Sequence, residues 1–277
     1  MASTDLYDRF LALHHREGGF IMPNPWDALS ALLVKEAGFE AIGTSSAAFA
    51  ATLGRLDGRH AVSREEHLGH AQLVGQVSGL PVNGDFEDGY GDSPDDVAAT
   101  VQAAIEAGLA GIGVEDTGGN PDSPIRDFDD AVARVRAAAA AARGRIVLTG
   151  RTDNFIQGRP DLDDTIRRLT AFAEVGADVL YAPYPPDMNS VKAIVKAVAP
   201  KPVNVVVSPG DQVVTASDLQ QAGVKRISMG VALYTHAMGA LKTAAAQLAA
   251  GDIASATAGM TFGEASALIQ NAQAGRR

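Results

Sequence analysis

The chain repeats one unit of organisation eight times: a short apolar segment, followed by a longer alanine-rich segment with helical spacing. Several of the longer segments end in an apolar residue followed by glycine, which commonly terminates a helix; examples are Ala37-Gly38, Ala107-Gly108, Val175-Gly176 and Ala222-Gly223. Alternating helices and near-continuously apolar strands indicate a parallel sheet that is buried on both faces. Eight such units predict an α/β fold of the closed (β/α)8 TIM-type barrel class, rather than an open doubly wound sheet.

The segments can be placed along the chain. The predicted strands are Phe20–Asn24, Ala41–Ser46, Pro81–Glu87, Gly111–Thr117, Ile146–Thr152, Ala177–Pro183, Pro202–Ser208 and Arg226–Gly230. The predicted helices are Trp26–Ala37, Arg64–Ser78, Pro94–Ala107, Asp129–Arg143, Leu162–Val175, Asn189–Val198, Ala216–Ala222 and Leu233–Ala250. No G-x-G-x-x-G or Walker loop follows the first strand, which weakens the open nucleotide-binding sheet as an alternative.

We assign residues 1–250 to the barrel, as the catalytic domain, and residues 251–277 to a C-terminal helical extension. Two segments of the extension, Asp252–Ala258 and Thr261–Ala272, carry apolar residues that suit a packed helix. Two alternatives stay open. The extension packs on its own barrel, or it packs on, or is swapped with, a neighbouring subunit. The second alternative predicts a homo-oligomer, either a dimer or a tetramer.

Composition excludes several kinds of site and partner. The 277 residues include no cysteine, which excludes disulfides, thiolate metal sites and a cysteine nucleophile. The net charge of −10 argues against nucleic-acid and anionic-membrane partners, although a local basic pocket for an acidic substrate remains compatible with it. No apolar run reaches the ~20 residues of a membrane span, and the N-terminus lacks a signal-peptide pattern. We therefore expect a cytoplasmic enzyme that acts on a small molecule.

Acidic residues end two consecutive strands. Asp85 and Glu87 fall on one face of an extended strand, because alternate residues of a strand point the same way. Glu115 ends the next strand, and the C-terminal strand ends of a barrel meet on one side. A single acid at a strand end equally suits a solvated turn, but a second acidic strand end favours a cation site. Oxygen ligands predict Mg²⁺, with Mn²⁺ as an alternative.

Polar residues also end most of the other strands. Arg151 is the one cation among them, and its planar guanidinium suits a two-point grip on a carboxylate or phosphonate. A structural ion pair with a neighbouring acid is the alternative. The remaining polar residues at strand ends, or in the loop after the second strand, are Asn24, Thr44, Ser45, Ser46, Asp57, Asp153, Asn204 and Ser208.

Five segments occur in an order and spacing that is more specific than any one of them. They are Pro23-Asn-Pro-Trp-Asp27, Gly38-Phe-Glu-Ala-Ile-Gly-Thr-Ser-Ser46, Asp85-Phe-Glu-Asp-Gly-Tyr-Gly91, Gly113-Val-Glu-Asp116 and Arg151-Thr-Asp153. Together they resemble the isocitrate lyase and phosphoenolpyruvate mutase superfamily over essentially the whole barrel. The likeness is greatest to its short bacterial members that lack the catalytic cysteine loop.

The resemblance implies roles for residues of this chain. The implied Mg²⁺ ligands, direct or through water, are Asp85, Glu87 and Glu115. The implied substrate-binding residues are Thr44, Ser45, Ser46, Arg151 and Asn204. The implied catalytic residues are Arg151, Glu115 and Asp57.

The loop after the fourth strand departs from the superfamily pattern. Lyases that cleave isocitrate or methylisocitrate carry a Lys-x-Cys-Gly-His loop there, whereas this chain has the segment 117–127 without cysteine or lysine. The phosphonate-acting members carry a lysine- and asparagine-bearing loop, of which this chain retains Asn120, Ser123 and Arg126. Its glycines, prolines and polar residues make it a poor helix or strand, and its position predicts a lid over the metal.

The metal site and the resemblance together predict a reaction class. Mg²⁺ chelated by a 2-keto acid stabilises an enolate, so we expect a lyase or decarboxylase acting on a small 2-keto or 2-hydroxy diacid. The absent cysteine disfavours large tricarboxylates, and the absent lysine disfavours phosphonopyruvate. A phosphonate P–C bond enzyme of the mutase or hydrolase type, and a non-catalytic barrel that binds metal or ligand, stay open as alternatives. Candidate proton donors are Tyr90, Tyr184, His236 and Arg126.

Overall fold

The computed structural model describes residues 3–58, 60–120, 122–207 and 214–275. Its strands are β1 (Phe20–Met22), β2 (Ile42–Gly43), β3 (Val82–Asp85), β4 (Gly111–Glu115), β5 (Thr117–Asn120), β6 (Ser123–Ile125), β7 (Val147–Arg151), β8 (Val179–Tyr181), β9 (Val203–Val206) and β10 (Arg226–Ser228). Its helices are α1 (Ser3–His15), α2 (Ala28–Glu36), α3 (Ser46–Thr52), α4 (Arg64–Ser78), α5 (Pro94–Glu106), α6 (Phe128–Ala142), α7 (Leu162–Glu174), α8 (Met188–Val198), α9 (Ala216–Gln221), α10 (Ala232–Ala249), α11 (Ile253–Ala256) and α12 (Phe262–Ala274).

Eight parallel strands form a nearly closed barrel, in the order β1-β10-β9-β8-β7-β4-β3-β2. At the seam between β1 and β2, the Gly43 N–H donates to the Pro23 carbonyl at 3.0 Å. Asn24 holds the same seam, because its side-chain amide donates to the Thr44 carbonyl at 2.8 Å and accepts from the Met229 N–H at 2.9 Å. The predicted (β/α)8 TIM-type barrel is confirmed.

All eight predicted barrel strands are present, and each is shorter than predicted because the ladder hydrogen bonds stop where the strands diverge into loops. Ser208, the predicted end of the seventh barrel strand, lies outside the described residues.

All eight predicted barrel helices form, and α4 has the predicted bounds, starting from a capping box at Ser63. Two helices, α1 and α3, were not predicted.

The segment 117–127 was predicted to be a poor strand, and this is wrong. It forms an antiparallel hairpin of β5 and β6, in which Thr117 pairs with Ile125 and Asn120 pairs with Ser123. The hairpin is fixed from outside as well as by its own ladder, since the Arg126 guanidinium that follows β6 donates to Asp88 Oδ2 at 2.7 Å. Tertiary contacts therefore override a composition that favours an irregular loop.

Successive side chains of each strand point alternately outward and inward, which gives the barrel an apolar outer layer and a polar interior. Ile42, Val82, Ile112, Leu148 and Leu180 belong to the outer layer and pack beneath the helices. The inner positions that alternate with them include Asn83, Thr149, Asn204 and Arg226, all buried. The amino-terminal end of the barrel is packed by α1, with Phe10 against Phe20 and Val147. Only the carboxyl end is therefore left to hold an open site.

The C-terminal helices differ in how far their own chain covers them. Helix α12 packs against α2 of the same chain and buries Leu268. Helix α10 has no buried residue, and Leu241 and Leu248 are 60% and 53% exposed. None of the described helices is both long and apolar enough to cross a membrane.

Candidate active site at the barrel mouth

Arg151 lies among three carboxylates at the carboxyl end of the barrel. Its Nη1 is 3.5 Å from Asp85 Oδ1 and 3.1 Å from Glu115 Oε2. Its Nε and Nη2 donate to the two carboxylate oxygens of Asp153, at 2.5 and 2.9 Å. The register explains the grouping, since β4 and β7 place Glu115 directly beside Arg151. We call these four residues the acid cup.

The predicted two-point grip of Arg151 is directed at Asp153 in this structure, as the structural alternative anticipated. One nitrogen, Nη1, faces Asp85 and Glu115. The sequence placed Asp153 at a strand end and in the Arg151-Thr-Asp153 motif but predicted no role for it. Its signal was its place two residues after Arg151, which puts both on the same face of an extended chain.

The predicted substrate-binding turn holds Asp85 in place. The Ser46 N–H donates to Asp85 Oδ2 at 2.9 Å, and the Asp85 N–H donates to Thr44 Oγ1 at 2.8 Å. Ser45 Oγ accepts from the Ala48 N–H and thereby caps α3. Substrate binding by Thr44, Ser45 and Ser46 stays a prediction, but all three side chains already have structural partners near the cup.

Glu87 reaches the mouth by a route that the sequence did not predict. Strand β3 ends at Asp85, and Glu87 has a φ of 47°, so the assumed extended alternation is wrong at this residue. Its Oε2 accepts from the His60 N–H at 3.1 Å, and its Oε1 lies 3.9 Å from His67 Nε2. That nitrogen is buried and has no hydrogen-bond partner among the described residues.

The predicted catalytic acids have raised pKa values. Burial raises the pKa of Glu115 well above its usual range; Arg151 opposes this, and the charges of Asp153 and Asp85 add to it. Burial and then the charge of Asp85 raise the pKa of Asp57, which also hydrogen-bonds Ser46. Burial raises the pKa of Glu87 as well. Each of these carboxylates would be stabilised by one more positive charge in the cup.

The geometry fits a hydrated cation better than a fully protein-ligated one. Within the described ranges, no three acidic or histidine side chains converge closely enough to hold a metal ion. Asp85 and Glu115 do converge, since one oxygen of each lies within 3.5 Å of the Arg151 Nη1. Mg²⁺ is commonly held by one or two carboxylates and retains several waters, which would also supply partners for Glu87 and His67. These residues would fit Mg²⁺ if Asp85 and Glu115 held the ion directly and Glu87 reached it through water.

A cavity of about 740 Å³ opens over the cup, between the barrel mouth and the β5–β6 hairpin. Its lining includes Ser46, Asp57, Glu87, Glu115, Arg151, Asp153, Thr117, Asn120 and Arg126. Asn204, predicted to contact substrate, is absent from this lining. Its amide instead donates to Ser228 Oγ at 3.0 Å, deeper in the barrel.

Asp88 joins the segments that surround this cavity. Its Oδ2 accepts from Arg126 Nη2 at 2.7 Å, and its Oδ1 lies 2.7 Å from His60 Nε2. Burial alone would raise the pKa of Asp88, but the hydrogen bonds from His60 and Arg126 lower it below its usual value. Sequence reasoning missed this role because Asp88 falls on the opposite strand face from Asp85. We call Asp88, Arg126 and His60 the hairpin latch.

The acid next to Glu115 has a different environment. Asp116 is buried outside the cup, where it accepts from Thr152 Oγ1 at 2.7 Å and from Arg168 Nη1 at 3.2 Å.

Of the candidate proton donors, Tyr90 donates to the Val62 carbonyl at 3.0 Å. His236 is exposed on α10.

Asp88→Asn should loosen the hairpin latch, because a neutral amide cannot form the ion pair with Arg126. We expect limited proteolysis between residues 117 and 127 to become several-fold faster. Asp129→Asn, an exposed acid on α6, is the matched control and should leave the cleavage rate unchanged. Equal cleavage rates in parent, Asp88→Asn and control would show that the latch does not hold the hairpin.

Comparisons with known proteins identify the family of this chain. A family model described as phosphoenolpyruvate phosphomutase matches residues 10–249. An uncharacterized protein of Mycobacterium tuberculosis strain H37Rv is 31% identical over 245 residues, which cover 88% of this chain and 90% of that protein. An oxaloacetate decarboxylase of Paraburkholderia xenovorans strain LB400 is 32% identical over 197 residues, 66% of this chain and 62% of that protein.

Solved structures give the same result. A structure from Burkholderia cenocepacia J2315, provisionally named a lyase/mutase, is 41% identical with a TM-score of 0.91, covering 96% of this chain and 95% of that one. An oxaloacetate acetylhydrolase in complex with the product oxalate shares the fold, with a TM-score of 0.87 at 24% identity and coverage of 99% and 97%. The chain therefore belongs to the phosphoenolpyruvate phosphomutase family, within the isocitrate lyase and phosphoenolpyruvate mutase superfamily, and is an enzyme of the lyase or mutase type.

Proposed function

We propose that the protein is a Mg²⁺-dependent lyase or decarboxylase that cleaves a C–C bond of a small 2-keto or 2-hydroxy diacid through a pyruvate-like enolate. The observation that carries this proposal is the convergence of Asp85 and Glu115 beside the Arg151 Nη1. When bound there, the ion would polarise the carbonyl of a chelating 2-keto acid and stabilise the negative charge of the enolate.

The chain's own residues would position the substrate. Asp153 fixes the plane of the Arg151 guanidinium, so that Nη1 meets an anionic oxygen in the cup with little loss of side-chain entropy. The β5–β6 hairpin, held by the latch, would limit the entry of water to the cup. Three carboxylates surround one arginine, so the cup carries excess negative charge. This charge favours a substrate that binds together with a cation.

The choice between C–C and P–C chemistry rests on the hairpin. Its described residues offer neither a lysine nor a cysteine to the cavity, and Arg126 is already paired with Asp88. The relatives that resemble this chain include an oxaloacetate decarboxylase, which supports a small keto diacid. A P–C bond enzyme is the second candidate, and a binding protein without turnover is the third.

Turnover of oxaloacetate and related 2-keto and 2-hydroxy diacids should require Mg²⁺ and stop with chelator. Asp85→Ala should lose both Mg²⁺ affinity, measured by isothermal titration calorimetry, and turnover, while the fold survives. Asp129→Ala is the control, since Asp129 is exposed on α6. Unchanged Mg²⁺ affinity in Asp85→Ala would reject the metal assignment. Turnover of phosphonopyruvate alone would favour the second candidate, and binding without any product would favour the third.

Arg151→Lys keeps the charge but loses the planar fork on Asp153. We expect kcat/KM for the cognate diacid to fall about 10- to 100-fold, the range set by losing one or two charge-assisted hydrogen bonds. Arg159→Lys, an exposed position in the loop after β7, should leave it unchanged. If Arg151→Lys and Arg151→Ala both turned over the diacid like the parent, Arg151 would not be the anchor and the small-diacid proposal would be withdrawn.

We also propose a homo-oligomer, a dimer or tetramer, assembled through α10 and α11. Apolar side chains there have nothing to cover them within the described chain; Leu241, Leu248 and Ile253 are 60%, 53% and 66% exposed. A second copy would bury them by the same hydrophobic effect that packs the barrel.

Light scattering after size exclusion should give the mass of a dimer or tetramer. Leu241→Glu combined with Leu248→Glu should shift it to a monomer, because two charges cannot be buried in an apolar interface. Leu56→Glu, at an apolar residue that is 89% exposed outside this surface, is the control. A monomeric parent, or an unchanged mass in the double variant, would contradict the proposed interface.

A further inference from the structure

A second arginine lies deeper in the barrel than the acid cup. Arg226 is 1% exposed and is surrounded by neutral groups. Its Nε donates to Asn204 Oδ1 and its Nη2 to Thr149 Oγ1, both at 3.0 Å. Its Nη1 lies 3.4 Å from Asn83 Oδ1 and 3.4 Å from His14 Nε2.

His14 supplies no compensating charge. Its Nδ1 is 2.8 Å from the Phe10 carbonyl oxygen, which can only accept, so Nδ1 carries the proton and Nε2 offers a lone pair to Arg226. Burial lowers the pKa of His14 well below its usual value, which keeps the ring neutral. The carboxylates of the cup pair with Arg151 instead. Among the described residues, Arg226 is thus a buried cation without an ion-pair partner.

A small cavity of about 60 Å³ separates Arg226 from the cup. Its walls include Asn24, Thr44, Asp85, Thr149, Arg151, Tyr181, Asn204, Arg226 and Ser228. Ser228 Oγ accepts from the Asn204 amide, which leaves its own O–H to donate. The volume admits a small group, such as one carboxylate.

Gly113 keeps this cavity open. It lines the cavity from β4, and a Cβ built on it would meet only the Gly84 carbonyl oxygen, at 3.7 Å. A side chain at this position would therefore occupy the cavity without clashing with the barrel wall. Because Gly113 has no side chain, space is left in front of the desolvated Arg226 guanidinium.

The depth of the cavity matches a short diacid. Asn83 lies beside Arg226 and Asp85 lies in the cup, two residues further along β3, which corresponds to about 6.6 Å at ~3.3 Å per residue. The carboxyl carbons of an extended diacid with two carbons between them are about 3.9 Å apart, and a hydrogen bond of ~2.9 Å brings its reach to about 6.8 Å. One end can be held in the cup while the other reaches Arg226.

We propose that Arg226, with Thr149 and Ser228, forms an anion subsite at the barrel floor that takes the distal carboxylate of a small dicarboxylate. A carboxylate there would supply the counter-charge that the buried guanidinium lacks. The inference rests on the proposed function, whose substrate class it narrows to diacids short enough to span from the cup to Arg226. The competing explanation is that Arg226 only ties α1 to the barrel through His14.

Succinate and acetate binding, measured by calorimetry in saturating Mg²⁺ and without turnover, tests the subsite. We expect the parent to bind succinate more tightly than acetate, and Arg226→Gln to lose at least tenfold in succinate affinity. Arg168→Gln is the matched control: it also removes a buried arginine, but one paired with Asp116 outside the barrel interior. It should lower the melting temperature and leave succinate affinity unchanged. Equal succinate affinity in parent and Arg226→Gln would overturn the proposal.

Gly113→Ala tests the same subsite with Arg226 in place. The added methyl group should lower succinate affinity while the melting temperature stays close to that of the parent, an outcome that a purely structural role for Arg226 does not produce. Unchanged succinate affinity in this variant would count against the subsite. If Arg226→Gln does not fold, this variant decides.

Crystals of the parent soaked in sodium bromide give a direct readout. An anomalous peak within hydrogen-bond distance of the Arg226 guanidinium is expected, and a barrel floor without one would overturn the subsite. The result is separable from the proposed function. Binding of bromide and succinate with no turnover of any diacid would reject the proposed function and keep the subsite. Diacid turnover by the parent, together with normal succinate binding in Arg226→Gln, would keep the proposed function and reject the subsite.

Discussion

Three carboxylates share one guanidinium at the mouth of the barrel, and the rest of the site depends on that imbalance. Asp153 takes two of the Arg151 nitrogens, which leaves only Nη1 to face Asp85 and Glu115. The remaining negative charge is buried, so the pKa of Glu115 is raised even beside an arginine. A cup of this kind is stabilised by any further cation, which is why Mg²⁺ and a chelating acid suit it together.

The barrel interior extends this polar site downward instead of closing it with aliphatic layers. Inner positions in the middle of the barrel carry Asn83, Thr149, Asn204 and Arg226, and the usual apolar packing appears only at the amino-terminal end around Phe10. Buried polar groups are tolerable there because they bond to one another across strands. The cation among them is the exception, since neutral partners satisfy its hydrogen bonds but not its charge.

The hairpin changes how the site can close. In place of a loop with its own proton-transfer residues, the chain has two short strands tied to the barrel rim by Asp88 and Arg126. The same ion pair that holds the hairpin occupies Arg126. The proposed chemistry would therefore depend on the cup and on the substrate's own chelating oxygens more than on the hairpin.

Local sequence determined the architecture. The eight apolar strands, the Ala-Gly helix ends and the cap at Ser63 are signals read within a few residues, and the barrel follows from their number. The motifs also predicted that Asp85, Glu115 and Arg151 would meet, because the carboxyl ends of barrel strands share one side. Tertiary structure alone decided the rest: the positive φ of Glu87, the Asp153 fork, the bond of Asp88 to Arg126, and the stacking of Arg226 below the cup. Most of these depend on register between strands and loops far apart in the chain, and register is set by the packing of the whole barrel, which no short segment encodes.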